Sequence, residues 1–157
     1  VLYDSEKEEY LDFTEERIQD FFLLLRDFDL MVGFNLKRFD YRVLGGYSNF
    51  NFNALKTLDI LEDIHAHLGY RLSLDTLAAS TLGTQKSGNG LQALAWWKEG
   101  KIQEIIEYCR KDVEITRSLF EYGLEKGYLL FTNKAKSLVR LPVKWRELVQ
   151  ALEGQGK

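Results

Sequence analysis

Hydrophobic positions change their period several times along the chain. Val1-Leu2-Tyr3 and Tyr10-Leu11-Asp12-Phe13 flank the polar run Asp4 to Glu9, a pattern that predicts a hairpin. Helical spacing follows. Thr14 is a candidate N-cap, Glu15 and Glu16 suit a first turn, and Ile18, Phe21, Phe22 and Leu25 share a face. "DLMVGF", Asp29 to Phe34, predicts a buried strand. Asn35 is placed to cap a helix with Leu36, Phe39, Val43 and Leu44 on one face. "GGYSNFNFN" is a loop, "LKTLDI" a second short strand, and "LEDIHAHLG" a helix stopped by Gly69. Ser73 is a candidate cap for "LDTLAASTLG". A loop "TQKSGNG", a helix from Leu91 to Trp97 halted at Gly100, and the longest helix, from Lys101 to about Lys126, come next. "YLLFTN" and "SLVRLPV" predict a terminal hairpin with Asn133 to Lys136 as its turn, and "GQGK" a frayed end.

Strands alternating with helices predict an α/β domain with a mixed β-sheet flanked by helices, over residues 1–150, with 151–157 as a tail. The chain opens in mid-strand, and a two-stranded hairpin is seldom stable alone, so a further strand upstream is expected. At 157 residues the domain can bury a proper core without staples. Apolar residues make up 45% and charged residues 29%, and no apolar run reaches a membrane span. Cys109 is the only cysteine, so no internal disulfide forms, which fits a reducing, cytoplasmic setting. The net charge of −3 gives no general attraction to a polyanion. Contact with nucleic acid then requires a local basic patch or a metal.

Two carboxylates interrupt apolar stripes. In the longest helix one stripe runs Ile105, Tyr108, Asp112, Ile115, Leu119, beside a second of Ile102, Ile106, Cys109, Val113 and Phe120. Asp112 lies inside this band, one turn after Tyr108. Asp40 repeats the pattern, sharing a face with Leu36 and Val43. A buried, unpaired carboxylate costs on the order of several kcal/mol, so each needs a partner. A buried Arg or Lys, backbone donors and a metal are the alternatives. Hard oxygen ligands on separate elements suit Mg²⁺ or Mn²⁺. A tyrosine four residues before a metal-binding Asp lies on the same face and is placed to orient a water.

"NLKRFD", with Asn35, Phe39 and Asp40, resembles the second motif of the DEDD 3′→5′ exonucleases, a ribonuclease-H-like superfamily. "YCRKD", Tyr108 to Asp112, resembles their third motif in its tyrosine variant; the histidine variant would carry His where Glu107 stands. The wider context resembles the YprB-like subgroup of predicted exonucleases over nearly the whole chain. The resemblance implies two-metal phosphodiester hydrolysis of DNA or RNA from a single-stranded end, with two Mg²⁺ or Mn²⁺ ions. It implies that Asp112 binds the nucleophile-side ion, Asp40 serves the second, and Tyr108 positions the attacking water. Asn35 and Phe39 are nucleic-acid contacts on the same grounds. Related domains also stand beside helicase modules, so a helicase domain or protein is an expected partner. In the family an Asp-x-Glu pair on the first strand supplies the other two ligands.

That pair has one early candidate, Asp4-Ser5-Glu6, which sits at a predicted turn and too close to Asp40 for the family spacing. With two of the four carboxylates, the chain is expected to bind metal weakly and to be inactive as a fragment. The alternative is a non-catalytic nucleic-acid-binding or scaffold module. "GTQKSG", Gly83 to Gly88, has phosphate-loop glycine spacing but follows a helix and lacks the closing Lys-Ser/Thr, which excludes ATP. Its Lys86 is a candidate backbone contact, with plain linker as the equal alternative. His65 and His67, two apart on a helix, face different ways and are not a metal pair. Trp96-Trp97 could stack a base; core packing is the favoured reading. Lys37, Arg38, Arg110 and Lys111 flank the two motifs, as phosphate-steering groups or as a solvated rim.

Overall fold

A computed structural model describes residues 1–84 and 90–154. Its described elements run β1 (Leu2–Asp4), β2 (Glu9–Leu11), α1 (Ile18–Leu24), β3 (Met31–Gly33), α2 (Tyr41–Leu44), β4 (Thr57–Asp59) and α3 (Ile60–Leu68). They continue with α4 (Leu74–Leu82), α5 (Gly90–Lys98), α6 (Ile102–Lys126), β5 (Tyr128–Thr132), β6 (Leu138–Pro142) and α7 (Trp145–Glu153). Among the described residues the strands make three two-stranded sheets. β1–β2 and β5–β6 are antiparallel, and β3–β4 is parallel, with Gly33 opposite Asp59. The α/β class with mixed strand pairing is as expected; the pairing comes in separate pieces rather than as one continuous sheet.

The core forms where α3, α4 and the C-terminal half of α6 meet β4, β5 and β6. Ile60, Ile64, Leu77, Leu119 and Leu129 are fully buried there, with Trp145 from α7. Burying each such side chain contributes roughly 1.5–3 kcal/mol. Polar pins set the alignment. The Thr81 hydroxyl of α4 donates to the Leu130 carbonyl of β5 at 2.8 Å and accepts from the Leu130 N–H at 3.0 Å. The Trp145 indole N–H donates to Asp63 of α3 at 2.8 Å. Arg146 donates to the Leu124 and Glu125 carbonyls, closing the free C-terminal end of α6.

Helix boundaries follow their end signals. The Asp59 side chain caps α3, and Gly69, at φ 75°, ends it. Ser73 caps α4 by accepting from the Thr76 N–H. The loop "GGYSNFNFN" is held by aromatic packing, with Phe50 and Phe52 against Phe22 of α1 and Phe52 stacked on Tyr41 of α2 at 4.7 Å. The N-terminal hairpin lies on α6, where Arg117 covers the Tyr3 ring at 4.0 Å.

Three expectations change. The apolar stripes of α6 are buried only in the helix's second half, at Ile115, Leu119 and Gly123, while Ile102 is exposed. α7 was not expected, although Trp145, Val149 and Leu152 have helical spacing; it carries helix through Glu153, into the segment assigned to a tail. Leu36 to Asp40 forms a π-helical turn, in which the Tyr41 amide reaches back to the Leu36 carbonyl. The wider turn rotates the side chains after it, so Phe39 and Val43 face solvent rather than the core. Among the described residues no helix is long and apolar enough to cross a membrane.

Gly123 faces the Trp145 ring so closely that an added Cβ would overlap its carbons. Gly123→Ala is expected to cost about 1–3 kcal/mol, read as a lower thermal midpoint with unchanged far-ultraviolet dichroism.

Candidate active site

β3 ends at Gly33, where the chain turns sharply. The Leu36 side chain packs where a Cβ of Gly33 would stand, so only glycine fits. Asn35 takes a left-handed φ of 66°, a conformation that asparagine tolerates. It makes no side-chain cap, contrary to the helix-cap expectation. The turn is held instead by Asp59 at the end of the parallel neighbour β4. The Asp59 Oδ1 accepts from the Asn35 N–H at 2.8 Å, and its Oδ2 from the Lys37 N–H at 3.1 Å. Oδ1 also accepts from the Leu61 and Glu62 N–H groups that open α3. Four backbone donors thus share one carboxylate that is 4% exposed.

Sequence reasoning missed this residue. Asp59-Ile60-Leu61-Glu62 has capping-box spacing, which was a usable signal. Glu62, however, reaches the Lys37 ammonium at 2.5 Å rather than back to the cap.

The π-helical turn delivers Asp40 half-buried, and its carboxyl lies above the ordinary range. Burial is the main cause; Asp40's own N–H opposes it, and the Asp59 carboxylate adds to it. Asp112, also half-buried on α6, is pushed up to about 6 by burial and then by the Asp75 carboxylate of α4, with the Tyr108 hydrogen bond opposing. Tyr108 is raised by burial, then by Asp112 and Asp75, so its hydroxyl stays a neutral donor. Its ring meets Trp96 edge-on at 6.2 Å. Burial raises the Cys109 thiol, and Asp112 and Asp40 both act on it. Asp40 and Asp112 thus both act on this thiol, and neither is among the groups that shift the other.

Phe39 is 62% exposed, and the Asn35 side-chain oxygen accepts from Arg71 Nη2 at 2.8 Å. Trp97 is 62% exposed, so of the tryptophan pair only Trp96 packs inward. Lys86 lies outside the described residues. Asp4 is occupied by its own turn, accepting from the Glu6 and Lys7 N–H groups and pairing with Lys7 at 3.3 Å. Of the flanking cations, Lys37 is paired with Glu62, Arg110 with Asp12 and Lys111 with Glu114.

Asp40 and Asp112 are hard oxygen donors in partly desolvated surroundings, which fits a divalent cation in kind. It does not fit in number, since among the described residues no group of three or more His, Cys, Asp or Glu side chains could hold a metal ion. A family model of the RNase_H superfamily, RNase_H_2, matches residues 2–123. No curated protein and no solved structure matches the chain.

Two outcomes follow. Asp59→Ala strips four backbone donors of their acceptor and is expected to cost about 2–4 kcal/mol by urea titration. The raised carboxyl of Asp112 carries a pH signature. Between its ordinary 3.8 and about 6 the folded chain keeps a proton that the unfolded chain has released, so this group's contribution falls as pH rises through that window. Asp112→Asn should therefore gain stability relative to wild type across the window, in unfolding curves at paired pH values.

Proposed function

This chain belongs to the RNase_H superfamily, and we propose that it is a metal-dependent 3′→5′ exonuclease domain of the DEDDy type, built to hydrolyse phosphodiester bonds at a single-stranded end. The observation that carries this reading is the superfamily match over residues 2–123, which takes in two half-buried carboxyls held above their ordinary range, Asp40 and Asp112, and Tyr108 one helical turn before Asp112. A domain of this superfamily is nuclease-like in fold and acts on nucleic acid. The exonuclease class, the roles of single residues and the helicase partner are our reading.

Asp112 and Asp40 would hold Mg²⁺ or Mn²⁺. A bound divalent ion lowers the pKa of its water and neutralises charge on phosphate oxygens. The protein's own part is orientation. Tyr108, whose ring meets the Trp96 edge and which lies one turn before Asp112, would offer its neutral hydroxyl to orient the attacking water. Asp59 fixes the turn that carries Asp40. Two carboxylates are half of a two-ion set, so residues 1–157 alone are proposed to bind metal weakly and to cleave little. A non-catalytic nucleic-acid-binding or scaffold module is the second reading. It is favoured by the lack, among the described residues, of any three-ligand cluster.

In a protein carrying the Asp-x-Glu strand, Mn²⁺ should support shortening of a labelled single strand from its 3′ end. Asp112→Asn should lower that rate by at least about 10³-fold, the scale on which catalytic-group losses fall. Equal rates for both proteins would remove Asp112 from the site; no Mn²⁺-dependent cleavage by either would favour the scaffold module.

A further inference from the structure

Beside Asp40, at the C-terminal ends of β3 and β4, a shallow notch is bordered by Arg38, Arg71 and Asn35. Asp59, Leu61, Glu62 and His65 complete its lining. Ligands of α/β folds gather at this edge of parallel strands. The notch's two acids are already engaged, Asp59 by four backbone N–H groups and Glu62 by Lys37. Its two guanidinium groups are not. Among the described residues Arg38 makes no hydrogen bond or ion pair, and Arg71 makes a single bond, to the Asn35 side-chain oxygen. Arg71 keeps its remaining N–H donors, and the bond to Asn35 leaves that residue's amide N–H₂ as another. Guanidinium forks with donors to spare are the side chains best suited to hold phosphate oxygens.

We propose that Arg38 and Arg71 form a backbone-phosphate contact for the single strand. This rests on the exonuclease reading and deepens it. Arg38 and Asp40 lie two positions apart on one helical turn and so project to different sides. The phosphate held by Arg38 is therefore a neighbour of the scissile one, and the contact positions the strand without touching the reacting atoms. Arg110 and Lys111, on the far side of the site, are tied to Asp12 and Glu114 and do not provide an equivalent.

The test measures binding of a 5′-fluorescein single-stranded oligonucleotide by anisotropy, in EDTA so that no cleavage occurs, over about 50–200 mM salt. Arg38→Ala/Arg71→Ala is expected to bind about tenfold more weakly. Its slope of log affinity against log salt should be shallower by about 0.7, the value for one phosphate on a single strand. Arg71→Lys, which keeps the charge and loses the fork, should restore the slope but not the affinity. Lys136→Ala, in the β5–β6 turn, should match wild type. If wild type binds and the double variant, with an unchanged melting curve, shows the same affinity and slope, the phosphate contact is overturned and the exonuclease reading stands. If wild type binds no strand at any salt, that reading falls and takes the contact with it.

Discussion

The buried carboxylate of Asp59 is the constraint on which one end of the molecule depends. A carboxylate 4% exposed carries a desolvation penalty of several kcal/mol on the order-of-magnitude scale unless its lone pairs are filled. Here they are filled by backbone N–H groups from two elements at once, the turn after β3 and the first turn of α3. One side chain therefore caps a helix and also fixes the position of a neighbouring loop. The left-handed Asn35, the π-helical turn and the placement of Asp40 follow from where Asp59 holds the Asn35 and Lys37 amides.

The same economy explains why the notch keeps free donors. Because the Asp59 lone pairs are taken by amides, they bind no arginine. Because Glu62 takes Lys37, the two arginines at the rim keep donors free. At the other side of the site the balance is opposite. Burial, and then the Asp75 carboxylate, push Asp112 towards the protonated state, and the Tyr108 hydroxyl offsets part of that push. Among the described residues no ion pair reaches Asp40 or Asp112, and on the proposed reading a divalent ion would supply the missing positive charge.

Much of the local structure was legible. The N-terminal hairpin forms as expected, with Tyr3 opposite Tyr10, and its strands extend to pair Asp4 with Glu9, inside the run expected to be turn. Ser73, Gly69 and the Asn133 turn act as their residue types predict. These features depend on contacts within a few residues, which sequence spacing reports directly. The α2 stripe failed because one extra residue in a turn changes which side chains share a face, and helical spacing assumes a constant period. Phe39 and Val43, expected inside, stand in solvent for that reason. The short α7 went unnoticed although its spacing was present, since nine residues give a weak signal without the Trp145 pocket to explain them.

The sequence by itself determined the helices and hairpins, the residues carrying the two acidic motifs, and membership of a superfamily whose pattern spans residues 2–123. Tertiary structure alone decided which carboxylates meet and which are occupied. Asp4 reads from the sequence as a turn acid and is one, whereas nothing local marks Asp59 as the acceptor for four backbone amides, two of them from the distant turn after β3. Asp75 gains its influence on Asp112 only when α4 packs on α6. Such pairings depend on distance through space, and a chain that must close loops of dozens of residues does not encode that distance in any local pattern.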